Sequence, residues 1–220
     1  MAVITLYGHP YSRAHRVMWM LKELGLPFDH VPTGFQDGGT KQAEFLAINP
    51  NGRVPVLVDG DVTLFESLAI NLYLSRKYGG PTAAEGLVDE ARATQWSFWV
   101  VTEVEKPLLF AAANLSLFGE DGRSEADAAI GIAKLDRPFR VLEAHLAARD
   151  YLLGDRFTVA DINVAGPMTL IPIAGVSLDS YPRLAAWLDR CLERPAAADW
   201  KPIRFTIPRP PADKLLAMFL

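Results

Sequence analysis

Hydrophobic spacing changes once along this chain, near residue 80, and that change limits the fold more than any other feature of the sequence. Before it, short apolar runs alternate with stretches of helical period; after it, no run reads as a strand. Residues 3–7 and 28–31 read as buried strands. Residues 54–58 and 62–64 flank Asp59-Gly60, where glycine takes a positive φ without a clash, and so read as a hairpin. Between the first two strands, Ala14, Val17, Met18, Leu21 and Leu24 recur at helical spacing, and Gly25 with Pro27 stops the helix. Helices over 41–48 and 67–78 complete the order βαβαββα, which predicts an α/β domain over residues 1–80 with helices packed on a mixed sheet.

Gly79-Gly80-Pro81 then punctuates the chain, and residues 86–220 are expected to form an all-α helical bundle. A long helical pattern covers 86–118 and contains Trp96, Phe98 and Trp99. Pro107 falls inside it and predicts a kink, because proline lacks the N–H and its ring meets the preceding turn. Further helices are expected over 124–149, from Thr158, and after Tyr181-Pro182. In Phe157-Thr158-Val159-Ala160-Asp161-Ile162, Thr158 and Asp161 form a short-armed capping box with Phe157 and Ile162 at the staple positions, a structural feature. The apolar ending Leu215-Leu216-Ala217-Met218-Phe219-Leu220 is expected to pack on the chain's own surface, with a partner site as the alternative.

The 220 residues carry 22 basic against 26 acidic side chains, a formal net charge of −4, with no basic run, so no nucleic-acid partner is expected. No stretch approaches the roughly 20 apolar residues that span a bilayer. The N-terminus has no cationic segment leading into an apolar one, which predicts a cytoplasmic protein. Cys191 is the only cysteine, so no internal disulfide forms, and no metal site is expected.

Three short segments carry the candidate chemistry. In Tyr7-Gly8-His9-Pro10-Tyr11-Ser12-Arg13-Ala14, Ser12 reads as an N-cap and, equally, as a hydroxyl at the positive end of a helix, able to stabilise an anion or thiolate. His9 and His15 lack carboxylate or cysteine partners nearby and read as surface or polar-packing residues. In Asn49-Pro50-Asn51-Gly52-Arg53-Val54-Pro55, a cis Val54-Pro55 bond at a strand start either makes a tight turn or presents the Val54 backbone to an extended peptide. Glu66-Ser67 opens an apolar helix. It reads as an ordinary helix start, or as a grip on an α-amino acid group, with amides and hydroxyl for the carboxylate and Glu66 for the ammonium.

In this order and spacing, the segments resemble the cytosolic glutathione transferase superfamily over nearly the whole chain. Gly8-His9-Pro10-Tyr11-Ser12 is similar to the plant phi class of serine-type members, and no cysteine or Cys-x-x-Cys stands there as in the thiol-bearing relatives. The resemblance implies a thioredoxin-like N-terminal domain that binds glutathione as co-substrate, and a helical domain that supplies the electrophile site. It implies Ser12 as the catalytic hydroxyl, Val54 and Pro55 against the cysteinyl part, Glu66 and Ser67 at the γ-glutamyl end, and Lys41 and Arg53 near the glycyl carboxylate. Arg53 departs from the commoner glutamine or lysine, and Thr40 from a frequent histidine. Tyr11, Trp99, Glu103 and Phe110 are candidates to line the electrophile pocket, with core packing as the alternative for each. The implied activity is conjugation of glutathione to a small hydrophobic electrophile in detoxification, by a homodimer. Glutathione-dependent isomerisation, dehalogenation or peroxide reduction is the runner-up, and a non-catalytic binding module is the alternative of a different class.

Overall fold

The computed structural model describes residues 3–34 and 38–197, together with Pro211. The apolar ending at residues 215–220 lies outside the described residues. Four strands, β1 (Ile4–Tyr7), β2 (Phe28–Val31), β3 (Val56–Asp59) and β4 (Val62–Phe65), form one sheet in the order β2-β1-β3-β4. β1 runs parallel to β2, with Ile4 opposite Phe28, and antiparallel to β3, with Tyr7 opposite Val56. β3 starts two residues later than its apolar run suggests, because Pro55 has no N–H for the ladder and the Val54–Pro55 bond is cis. Gly60 opens the two-residue hairpin loop with φ 66°.

Ile4 and Leu6 point from β1 into a core shared with helix α1 (Ala14–Glu23) and helix α3 (Ser67–Tyr78). Helix α2 (Ala43–Ile48) is shorter than the 41–48 pattern, since a 3₁₀ turn over Gly39–Lys41 precedes it and carries Lys41. This half is the expected thioredoxin-like domain with a mixed sheet. The rest is all helical: α4 (Gly86–Trp99), α5 (Lys106–Ala112), α6 (Glu125–His145), α7 (Val159–Met168) and α8 (Pro182–Leu192).

α4 and α5 form one column with π-helical turns at Val100–Glu105 and Ala113–Leu117. The expected disruption at Pro107 takes this form: the wide turn ends just before the proline and loosens the ladder where an N–H is missing. α5 lies close against α6 at Gly131, where a Cβ would come within 2.7 Å of the Pro107 carbonyl oxygen. All ten residues of α7 are buried, with Phe157 and Ile162 both in the core. α7 touches α1, α3 and α4, so it joins the two halves. The connecting segment 79–85 is tied down as well. Thr82 O accepts from Val159 N at 2.9 Å and from Ser75 Oγ at 3.3 Å, while Arg156 donates to the carbonyls of Pro81 and Ala83. Among the described residues, no helix is long and apolar enough to cross a membrane.

Candidate functional site

The turn from β1 into α1 is built around Gly8. Its φ of 145° and its setting both exclude a side chain: a Cβ there would stand 2.6 Å from Ala14 Cβ, 3.3 Å from Val54 Cβ and 3.6 Å from Ser12 Oγ. Gly8 thus lets the start of α1 and the cis-proline turn close on one another, with Ser12 and Val54 both bordering it. Gly8 N donates to Val31 O, and the His30 Nε2 atom lies 2.6 Å from Gly8 O, which fixes the turn to β2.

Ser12 is half-buried. Its Oγ donates to His9 O at 2.7 Å and accepts from Ala14 N at 3.2 Å. The N-cap position is Arg13, which makes no side-chain cap bond, so Ser12 braces the first helical amide from just outside the helix rather than capping it as expected. This bond and a site role are compatible, because the O–H turns about the Cβ–Oγ bond while Oγ itself stays within reach of Ala14 N. His15 Nδ1 lies 2.7 Å from Ser12 O and holds the backbone of the same turn. Burial, with the Arg16 charge adding to it, lowers the His15 imidazole to about 4, so it is neutral near pH 7. Tyr7 shares the end of β1, but its ring packs edge-on against Phe45 at 6.3 Å. Tyr11 is exposed beyond the turn, its ring 4.8 Å from that of His9.

At the start of α3, Glu66 adopts φ 72° and ψ 108°, a left-handed-side conformation rare outside glycine and costly to hold. No side-chain hydrogen bond caps α3, and the Glu66 side chain is exposed. Ser67 is buried, with its Oγ 3.5 Å from Arg16 Nη1. Lys41 and Arg53 are exposed; Arg53 follows Gly52 in the chain, and a Cβ on Gly52 would stand 2.8 Å from Lys41 Nζ. Asn49 braces that loop by donating to Arg53 O at 2.7 Å and accepting from Asn51 N.

The helical-domain candidates are more scattered. Trp99 is half-buried and edge-on to Trp96 at 5.0 Å; Glu103 pairs with Arg137 of α6; Phe110 is buried with Ala113 and Phe118. Two residues at the domain seam carry no obvious signal in sequence, Arg16 and Glu105. Arg16 Nη2 donates to Glu105 Oε1 at 2.7 Å, and Arg13 Nε donates to the same oxygen at 2.6 Å. Burial alone would raise the Glu105 carboxyl, but the two guanidinium groups outweigh it and hold it down at about 2. The sequence gives no sharper hint, since Arg16 stands near Arg13 and His15, and Glu105 between Glu103 and Lys106, among other charges.

The sequence matches the model of the glutathione S-transferase N-terminal domain over residues 2–76 and that of the glutathione S-transferase C-terminal domain over residues 106–195. It is 39% identical over 212 residues to glutathione S-transferase 3 of Zea mays, covering 89% of this chain and 92% of the relative. Among solved structures, it is similar to glutathione transferase F7 from Populus trichocarpa, with a TM-score of 0.78, 28% identity and coverage of 89% and 96% of the two chains. It is also similar to a glutathione S-transferase-I bound with lactoylglutathione, with a TM-score of 0.79, 30% identity and coverage of 90% and 97%.

Proposed function

The chain belongs to the glutathione S-transferase family, and from that premise we propose that it binds glutathione and presents its thiolate to a small hydrophobic electrophile. The observation that supports this reading is the closure at Gly8, where a Cβ would meet both Ser12 Oγ, at the helix start, and Val54 Cβ, at a cis proline. The Val54 amide and carbonyl pair with the cysteinyl backbone of glutathione, with Pro55 shaping the turn, and this sets the sulfur near Ser12. Ser67 and the amides at the start of α3 take the α-carboxylate of the γ-glutamyl end, Glu66 takes its ammonium, and Lys41 and Arg53 face the glycyl carboxylate.

Ser12 acts by turning its proton from the His9 carbonyl to the sulfur. The thiolate is the nucleophile, and an unperturbed thiol has a pKa of about 8.5. Lowering it by ~2 units takes about 2.7 kcal/mol of preference for the charged form. At neutral pH the thiolate fraction then rises at most about thirtyfold, while falling nucleophilicity returns roughly eightfold if thiol–disulfide behaviour carries over. Most of the acceleration must therefore come from orienting sulfur against an electrophile held by the helical domain. Tyr11 and Trp99, which keep accessible surface, are the first candidates for that wall, and Glu103 and Phe110 the second. The working form proposed is a cytoplasmic homodimer. Leu87, Val88 and Phe98 on α4 and Phe65 on β4 are large apolar side chains left exposed on the single chain, and they support it.

A turnover panel of aryl halides, epoxides, hydroperoxides and maleyl compounds with glutathione tests the reading. Conjugation of an aryl halide or epoxide is expected. Glutathione binding without turnover of any class would favour a binding module instead.

A further inference from the structure

Beneath Ser67 lies a charged cluster that thiol activation does not use. Arg16, on α1, is 3% exposed. Its Nη2 donates to Glu105 Oε1 at 2.7 Å, and its Nη1 lies 3.4 Å from Glu105 Oε2 and 3.5 Å from Ser67 Oγ. Arg13, half exposed, donates to the same carboxylate. Two guanidinium groups thus share one carboxylate, and the Glu66 charge at the start of α3 also favours the Arg16 cation. Arg16 Nε is buried without a partner among the described residues. The fold makes room for this side chain: a Cβ on Gly166 of α7 would come within 3.0 Å of Arg16 Cγ.

A guanidinium has donors and no acceptor. Facing Arg16, the Ser67 oxygen must therefore accept, and its one proton points elsewhere. The direction left is the open start of α3. A chain of donors running from Arg16 through Ser67 to an anion strengthens each link by polarisation. We infer that Arg16, held by Glu105 from the helical domain, is a positioning residue that turns the Ser67 proton toward the α-carboxylate at the γ-glutamyl end of glutathione. This rests on the reading of Ser67 given above. Its consequence is that recognition at one end of glutathione is set in part by a residue of the domain that holds the other substrate.

The test is Glu105→Gln, which keeps the side-chain shape and removes the charge that orients Arg16. KM for glutathione should rise about tenfold, the worth of one hydrogen bond to a charged group, with kcat within about twofold. Binding of γ-aminobutyryl-cysteinyl-glycine, which lacks the α-carboxylate, should not change. The double variant Ser67→Ala/Glu105→Gln should bind glutathione no more weakly than Ser67→Ala alone. Arg16→Lys keeps a buried cation beside Glu105 and should give a smaller loss with the same selectivity; it serves where Glu105→Gln does not fold. Equal losses for glutathione and the analogue, or losses that multiply in the double variant, overturn the inference. A Ser67→Ala loss with no Glu105→Gln loss sinks the positioning role alone. A wild-type chain that binds both ligands equally sinks the reading of Ser67 with it.

Discussion

At the start of α7, Thr158 Oγ1 accepts from Ala160 N at 3.3 Å, and the Asp161 carboxylate closes the turn from the other side. Asp161 Oδ2 accepts from Thr158 N and Oγ1, and Oδ1 accepts from Leu152 N and Trp187 Nε1, each at 2.9 Å. At the start of α3, by contrast, no side chain caps the helix, Glu66 holds a positive φ, and a cation stands behind the serine. Both starts look alike in sequence: a small hydroxyl residue near an acidic one, ahead of an apolar helix. What separates them is whether the local polar groups satisfy one another. A helix start that closes on itself contributes stability; one left open at the surface, with strain beneath it, is available to a ligand.

The sharpest way to break this contrast is at the closed end. Asp161→Ala would strand four buried donors, Thr158 N, Thr158 Oγ1, Leu152 N and Trp187 Nε1, and should cost about 3–5 kcal/mol. Urea denaturation measures the loss, and glutathione affinity of the folded fraction should stay near wild type. A small stability change with lost binding would reverse the roles assigned to the two helix starts.

Acid should weaken the ground beneath the open starts. Glu105 is held at about 2 against an ordinary 4.5, so its contribution is complete above about pH 4.5 and fades as pH falls toward 2. His15 is held at about 4 against 6.5; its unfolded form gains a proton first, so stability also falls as pH drops from 6.5 to 4. Together they should remove a few kcal/mol between pH 6.5 and 3, on the order expected for shifts of that size. Glu105→Gln should flatten the lower part of the curve. A melting midpoint that is level from pH 6.5 to 4 would contradict the burial of a neutral His15.

At the open end, Ser67→Ala should cost glutathione about 1.5–3 kcal/mol of binding, one to two decades, with little change in folding stability. Titration calorimetry that finds equal affinities would show the start of α3 to be as structural as that of α7. The smallest effects are expected at the start of α1. Ser12→Ala should raise the pKa of the bound thiol by about one unit, ~1.4 kcal/mol, and leave affinity unchanged. Tyr7→Phe should change turnover by less than about threefold, since its ring packs on Phe45. Thiolate absorbance against pH distinguishes them; a curve moved by Tyr7→Phe and not by Ser12→Ala would transfer the role to the phenol.

Local features are the legible ones. The capping box, the cis Val54–Pro55 turn and the hairpin follow from residues a few positions apart, whose physics is complete within the segment. Helix α2 begins later than its pattern because the 3₁₀ turn at Gly39–Lys41 takes up the first residues. The π turn before Pro107 is legible only as a disturbance; its form depends on how the column packs against α6 at Gly131. Arg16 and Glu105 lie 89 residues apart, and nothing in the spacing of either helix says which charge the other meets. The electrophile wall is the least legible part, since Trp96, Trp99 and Phe110 share one helical column and periodicity does not distinguish an aromatic that packs from one that faces a substrate.

The tether on residues 79–85 bears on how the molecule moves. A connecting segment with Thr82 bonded to both Ser75 and Val159, and with Arg156 across two further carbonyls, has no slack in which to pivot. A hinge here would have to break these bonds before the two halves could part. For the proposed second substrate, such a tether favours entry by movement of side chains and short exposed turns, such as the one carrying Tyr11, over a swing of whole domains.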